Sequence, residues 1–146
     1  MRLRKAVTAL AMTAAAAVGT GLMSAPAAQA ATPSPNCLGA RAFCFFYNSS
    51  QQGSVIGWDM NTGWRGTENL YNYGSFITPG AGQGVPVYDH AASATYQYPG
   101  VCYGFVRVYR EAGWTGSVFE DVPACSSINL TTGLTKNHNR AIQRIG

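Results

Sequence analysis

The sequence predicts an all-β domain, and three observations predict it. The first is an internal duplication. Tyr109 to Phe119 reads YREAGWTGSVF, and a second stretch starting at Phe46 reads FYNSSQQGSVI. Phe46, Gln51 and Gly53-Ser54-Val55 take the places of Tyr109, Trp114 and Gly116-Ser117-Val118, and such self-similarity marks a repeated supersecondary unit. The second is composition: charged residues make up 11% and aromatic residues 12% of a chain with 17 glycines, the balance of short strands joined by tight turns. The third is periodicity, since no long window repeats its apolar residues at helical spacing.

Residues 1–30 read as an export signal and are set aside from the fold. Arg2, Arg4 and Lys5 make a cationic start, Ala6 to Met23 is an Ala-rich apolar run, and Ala28-Gln29-Ala30 is a small-x-small cleavage site. Thr8, Thr13, Gly19, Thr20 and Gly21 leave the run too weakly apolar and too short to anchor the mature chain. A secreted, extracellular protein with no membrane attachment after cleavage is expected. Three of the 10 basic residues and none of the 6 acidic ones leave with the signal, so the mature net charge is about +1. No basic run remains, which argues against nucleic acid as a partner.

About 116 of the 146 residues remain, enough for one domain with a single core. Cys37, Cys44, Cys102 and Cys125 can oxidise after export, giving two disulfides. Three pairings exist in principle. The even division between the halves favours Cys37 with Cys44 and Cys102 with Cys125. A thiolate metal site is disfavoured by the oxidising destination and the absence of a close CxxC pair.

Taken in order, Ala31 to Asn36 is a polar, proline-bearing tail expected to be mobile, and the domain runs from Cys37 to Gly146. Phe43 to Tyr47 is a continuous aromatic strand, Asn48 to Gly53 a bend, and Ser54 to Trp58 a second strand completing a hairpin. Turn chemistry fills Asp59 to Gly66, and Leu70 to Ile77 has the aromatic and branched residues of another strand. Thr78 to Gly84 (TPGAGQG) is a loop, Val85 to Tyr88 is extended, and Ala94 to Tyr98 closes the first sheet before Pro99-Gly100. Phe105 to Tyr109 alternates its side chains as a strand does. Ser117 to Val122 follows as a strand, Ser127 to Leu134 as a loop or short strand, and Ala141 to Ile145 as the last strand.

The halves also match at their ends, where Asp89-His90-Ala91-Ala92-Ser93-Ala94 lies over Asn137-His138-Asn139-Arg140-Ala141-Ile142. Two four-strand units, about 43–98 and about 102–146, are the economical explanation. Four antiparallel strands of this kind ordinarily form a Greek key, and two keys bury each other's apolar faces as a sandwich.

Tyr109-x4-Trp114-x-Gly116 followed by Ser117-Val118-Phe119 resembles the folded-hairpin signature of the βγ-crystallin Greek key. There the glycine permits a turn and a buried pair of aromatics covers it. The first copy departs from this pattern by placing Gln51 where the second aromatic belongs. The FCFFYNSSQQGS stretch, with cysteines flanking its start, is similar to the secreted actinobacterial peptidase-inhibitor family of the Streptomyces metalloproteinase inhibitor kind, itself of crystallin-like fold. This resemblance implies a disulfide-stabilised βγ-crystallin-like sandwich, monomeric, that inhibits a secreted protease, a metalloproteinase first of all. An inhibitor needs an exposed, rigid segment. Gly74 to Gly84 is the candidate, with Phe76, Ile77, Thr78 and Pro79 at its contact point, although Phe76 and Ile77 read equally well as core residues of a strand.

Crystallin-like domains often bind calcium through two Asn/Asp residues, two variable positions and a Ser/Thr-Ser pair, oxygen ligands that suit a hard cation. Here Asp89, Ser93 and Asn137 are the residues that retain the pattern, so any calcium site is degenerate. The same residue types stabilise turns unaided. His90 and His138 occupy equivalent positions in separate copies and read as surface turns. Glu120 and Asp121 fall on opposite faces of one strand, and neither a Gly-x-Ser-x-Gly elbow nor an HExxH motif is present, so no enzyme or cofactor chemistry is expected. The other readings of the chain are a calcium-binding or structural crystallin-like domain and a toxin-like antimicrobial effector.

Overall fold

A computed structural model describes residues 33–34, 37, 42–60, 67–98, 100, 102–114 and 116–146. The expected export signal, most of the turn at 59–66 and Pro99 lie outside these residues. Nine strands are seen among them: β1 (Pro33–Ser34), β2 (Ala42–Asn48), β3 (Gln52–Asp59), β4 (Thr67–Asn69), β5 (Ser93–Gln97), β6 (Phe105–Tyr109), β7 (Phe119–Pro123), β8 (Ser126–Asn129) and β9 (Ala141–Ile145). They form two antiparallel sheets in the orders β1-β3-β2-β5-β8 and β4-β9-β6-β7. Only single 3-10 turns, Leu70–Asn72 and Ala112–Trp114, interrupt them. The fold is all-β, and the bonds Cys37–Cys44 and Cys102–Cys125 are both formed.

Strand β2 shows why the FCFFY run is continuous instead of alternating. Phe43 and Phe45 face inward onto Ile56, Trp58 and Tyr96, with the Phe43 and Phe45 rings 5.0 Å apart edge to face. Its other face is covered as well, because Cys44 joins Cys37, Ala42 and Val55 in a second buried cluster, with Phe46 packed against it. A strand apolar on both faces is a strand buried on both faces. From the opposite sheet Val106, Val108, Val122 and Ile142 complete the main core, joined by Leu70, Phe76 and Val87 from the connections.

The two halves interlock by exchange. Strands β3, β2 and β5 of the first half carry β8 of the second half at their edge, and β7, β6 and β9 of the second half carry β4 of the first. Backbone bonds outside the strand ladders come in matched pairs, one pair within the halves and two across them. Ala92 N–H donates to Phe46 O at 3.0 Å as Arg140 N–H does to Tyr109 O at 2.9 Å. Leu130 N–H donates to Ala92 O at 3.0 Å as Leu70 N–H does to Arg140 O at 2.9 Å. Asp89 N–H donates to Asn139 O at 3.1 Å as Asn137 N–H does to Ala91 O at 2.9 Å. The bends of the duplicated stretches match too, with consecutive left-handed residues at Ser50 (φ 59) and Gln51 (φ 57) and at Gly113 (φ 81) and Trp114 (φ 60).

Several elements differ from the sequence reading. The expected strand Leu70 to Ile77 is instead the end of β4, a 3-10 turn and a loop. Asn69 Oδ1 accepts from Tyr71 N–H at 3.1 Å, and Gly74 turns at φ 85. Both divert the backbone from a ladder despite its strand-forming composition. Val85 to Tyr88 makes only one bridge, Ser75 to Pro86, where proline has no N–H to extend the pairing. The expected mobile tail is tied down in part, as Pro33 and Ser34 pair with Trp58 and Gly57. Strand β7 starts at Phe119, later than the expected Ser117, because the bend closes only where Arg110 N–H reaches Val118 O at 3.1 Å. Trp114 does not bury itself as the hairpin cover but stays 38% exposed. Gly116 is not the residue with the unusual turn. It is needed for close approach, since a Cβ there would lie 2.9 Å from Glu111 Cγ.

Candidate functional site

The 74–87 segment is a compact loop clamped along the edge of β3. Phe76 N–H donates to Val85 O and Gly84 N–H to Phe76 O, both at 2.9 Å, closing the loop on itself. Ile77 N–H then donates to Val55 O at 3.0 Å, Ser54 N–H to Ala81 O at 2.8 Å, and Val55 N–H to Thr78 Oγ1 at 2.9 Å. Ser54 Oγ donates in turn to Thr78 O. Beneath the loop the Tyr47 ring meets Phe76 edge to face at 5.7 Å and lies against Gly82, where a Cβ would come 2.1 Å from the ring.

This geometry separates the four expected contact residues. Phe76 is 1% exposed and anchors the loop from inside, which corrects its assignment to the contact point. Ile77 is 40% exposed and Pro79 is exposed, so these two side chains form the outward tip. Thr78 is half-buried, with both its hydroxyl and its carbonyl engaged by β3. The Ile77 amide and Thr78 carbonyl are therefore not free to pair with an incoming strand.

The candidate calcium residues are dispersed among other duties. Asp89 Oδ1 and Oδ2 accept from Arg140 Nε at 3.0 and 3.1 Å, and this hydrogen bond holds the guanidinium pKa above its ordinary value. Ser93 is fully buried, its Oγ accepting from Gln51 N–H at 3.0 Å and donating to Asn48 O at 2.7 Å, so it staples the first hairpin bend. Asn137 serves as a turn residue at φ 56, the counterpart of Asp89 at φ 62. Among the described residues no three His, Cys, Asp or Glu side chains gather as metal ligands. The residue of this region that composition did not single out is Asn139. It is fully buried, accepting from Ala91 N–H at 2.9 Å and donating through Nδ2 to Val87 O at 2.7 Å.

Where the two halves meet, an open cleft of about 300 Å³ is bordered by Asn48, Ser49, Asp89, His90, Lys136 and Asn137. Lys136 Nζ reaches across it to Ser49 Oγ at 3.0 Å. His90 Nδ1 lies 2.7 Å from Tyr88 O, an acceptor that fixes the ring proton on that nitrogen. The other histidine is not in these walls. Glu120 and Asp121 lie apart as expected: Glu120 accepts from Thr131 N–H and Thr135 Oγ1, while Asp121 takes the bidentate Arg107. No helix among the described residues is long and apolar enough to cross a membrane. No family model matches the chain, and no curated protein or solved structure matches it.

Proposed function

We propose that this chain is an exported peptidase inhibitor of βγ-crystallin-like fold, built from two Greek keys that exchange their third strands. It acts as a monomer without catalysis. The observation that carries this reading is the clamped loop 74–87, whose fixed backbone holds Ile77 and Pro79 outward on the edge of a disulfide-stapled sandwich. A loop already ordered before binding loses little entropy when it meets a protease cleft. The matched bonds within and across the halves and the reciprocal placement of β4 and β8 support the Greek-key pairing.

The engaged Ile77 amide and Thr78 carbonyl refine the mode of action. The tip occludes a cleft through its side chains, with Ile77 entering an apolar pocket, and does not lie in it as a substrate-like strand. A secreted metalloproteinase of thermolysin type is the first target to try, followed by serine proteases. The mature chain at micromolar excess should inhibit at least one member of such a panel. Ile77→Asp should weaken inhibition at least about tenfold, the loss of an interface anchor. Full protease activity across the panel overturns the proposal.

A further inference from the structure

We propose that the cleft between the halves is a binding site for a small polyhydroxylated carboxylate, of which a uronic acid is the simplest example. The starting point is the charge of Lys136. Its side chain is half-buried, and its hydrogen-bond partner, Ser49 Oγ, is neutral. Among the described residues the ion pairs are Arg107 with Asp121 and Arg140 with Asp89 and Glu111, so no carboxylate sits against Lys136. Asp89, the acid in the cleft wall, is occupied by Arg140. An ammonium has three protons to donate, and among the described residues one protein acceptor meets it. Partial withdrawal from water without a counter-charge is unfavourable, and an entering anion relieves it.

The remaining wall sets the rest of the ligand. Asn48 and Asn137 belong to the wall with side-chain amides that both donate and accept, while the Ser49 hydroxyl oxygen is already taken by Lys136 Nζ. With Nδ1 engaged by Tyr88 O, the Nε2 side of His90 remains for a ligand. Groups that donate and accept around one cation match hydroxyls around one carboxylate. They do not match inorganic phosphate, which at neutral pH offers mainly acceptors. The ammonium repels a divalent cation. A cleft of about 300 Å³ holds about ten waters at about 30 Å³ each, room for a single sugar ring. The cleft does not include Ile77 or Pro79 of the loop tip, although the Tyr47 ring beneath the loop also lines it, and the proposal stands whether or not the chain inhibits a protease.

The test is an amide NMR titration of the mature chain with D-glucuronate, D-glucose, inorganic phosphate and calcium chloride in parallel. D-glucuronate should shift Ser49, His90, Lys136 and Asn137 saturably, with the other three probes at least about tenfold weaker, the typical weight of a charge-assisted hydrogen bond. Lys136→Gln should weaken D-glucuronate at least about tenfold while Lys136→Arg stays within about threefold. Should Lys136→Gln fail to fold, Ser49→Ala replaces it. That variant keeps the charge and frees a donor, so binding should be equal or tighter. The proposal is overturned by the absence of saturable shifts with D-glucuronate, by phosphate or calcium binding as tightly at the same residues, by unchanged affinity in Lys136→Gln, or by lost binding in Ser49→Ala.

Discussion

Asn139 joins the halves at the level of single atoms. Its amide satisfies one backbone donor and one backbone acceptor of the 87–91 segment from a fully buried position. Asn139→Ala strands both groups away from water, which costs about 2–4 kcal/mol, and a domain of this size should melt about 10 °C lower. A melting point within about 2 °C of the parent would show that water reaches those groups instead. The sequence displayed Asn137-His138-Asn139 without showing which asparagine turned inward, because the two differ only in the direction the backbone gives them. Glycines make the same point. Gly82→Ala combines φ 87 with a Cβ 2.1 Å from the Tyr47 ring, whereas Gly84→Ala has φ 83 with nothing within 4 Å. The second substitution should cost about 1 kcal/mol from backbone strain alone, and the first several times more. Urea denaturation of both variants measures the difference, and equal losses would remove the packing role given to Gly82.

Strands were legible where side-chain pattern and pairing agree. Phe105–Tyr109 and Ala141–Ile145 appear with the expected bounds because each has apolar residues to bury and a full-length neighbour to pair with. The 70–77 segment was misread because its aromatic composition fits a strand while Asn69 and Gly74 bend the chain, a local effect that outweighs a weak propensity. The loop tip was legible as a loop but not as a clamp, since the bonds from Ser54 and Val55 to Thr78 join residues distant in sequence. The disulfides form a second contrast at this scale. Cys37 and Cys44 are buried at 8% and 0%, whereas Cys102 and Cys125 are both exposed. Thiol exchange requires in-line access to a sulfur, so mild reductant should open Cys102–Cys125 first. That bond spans 23 residues and contributes about 3 kcal/mol in the chain-entropy account. Mass-tagging of the freed thiols during a short reduction should label Cys102 and Cys125 ahead of Cys37 and Cys44. The reverse order would mean that the β2 face opens more readily than its burial implies.

At the scale of the whole molecule, the duplication revealed two units but not that they trade a strand. The traded strands are the short Thr67–Asn69 and Ser126–Asn129, too brief and too polar to carry a pattern. Their exchange makes the core a shared possession. Cut between β5 and β6, the first half would leave Ala94 and Thr95 of β5 without their β8 partners Ile128 and Ser127, and the second would leave Ala141 and Ile142 of β9 without Asn69 and Glu68. Each would also expose one side of the common core, Phe43, Phe45 and Trp58 in one case and Val106, Val108 and Ile142 in the other. Each disulfide lies within one half, so no covalent bridge would hold the pieces together. Fragments of about half a domain also bury too small a fraction of their surface to offset chain entropy. Residues 31–98 and 100–146, prepared separately with their disulfides formed, should therefore show no cooperative thermal transition by circular dichroism. Mixed at equal concentration, they should regain a sheet spectrum and melt at a temperature that rises with concentration, as a bimolecular assembly does. A cooperative transition in either fragment alone would show that the borrowed strand is dispensable and that each unit closes its own core.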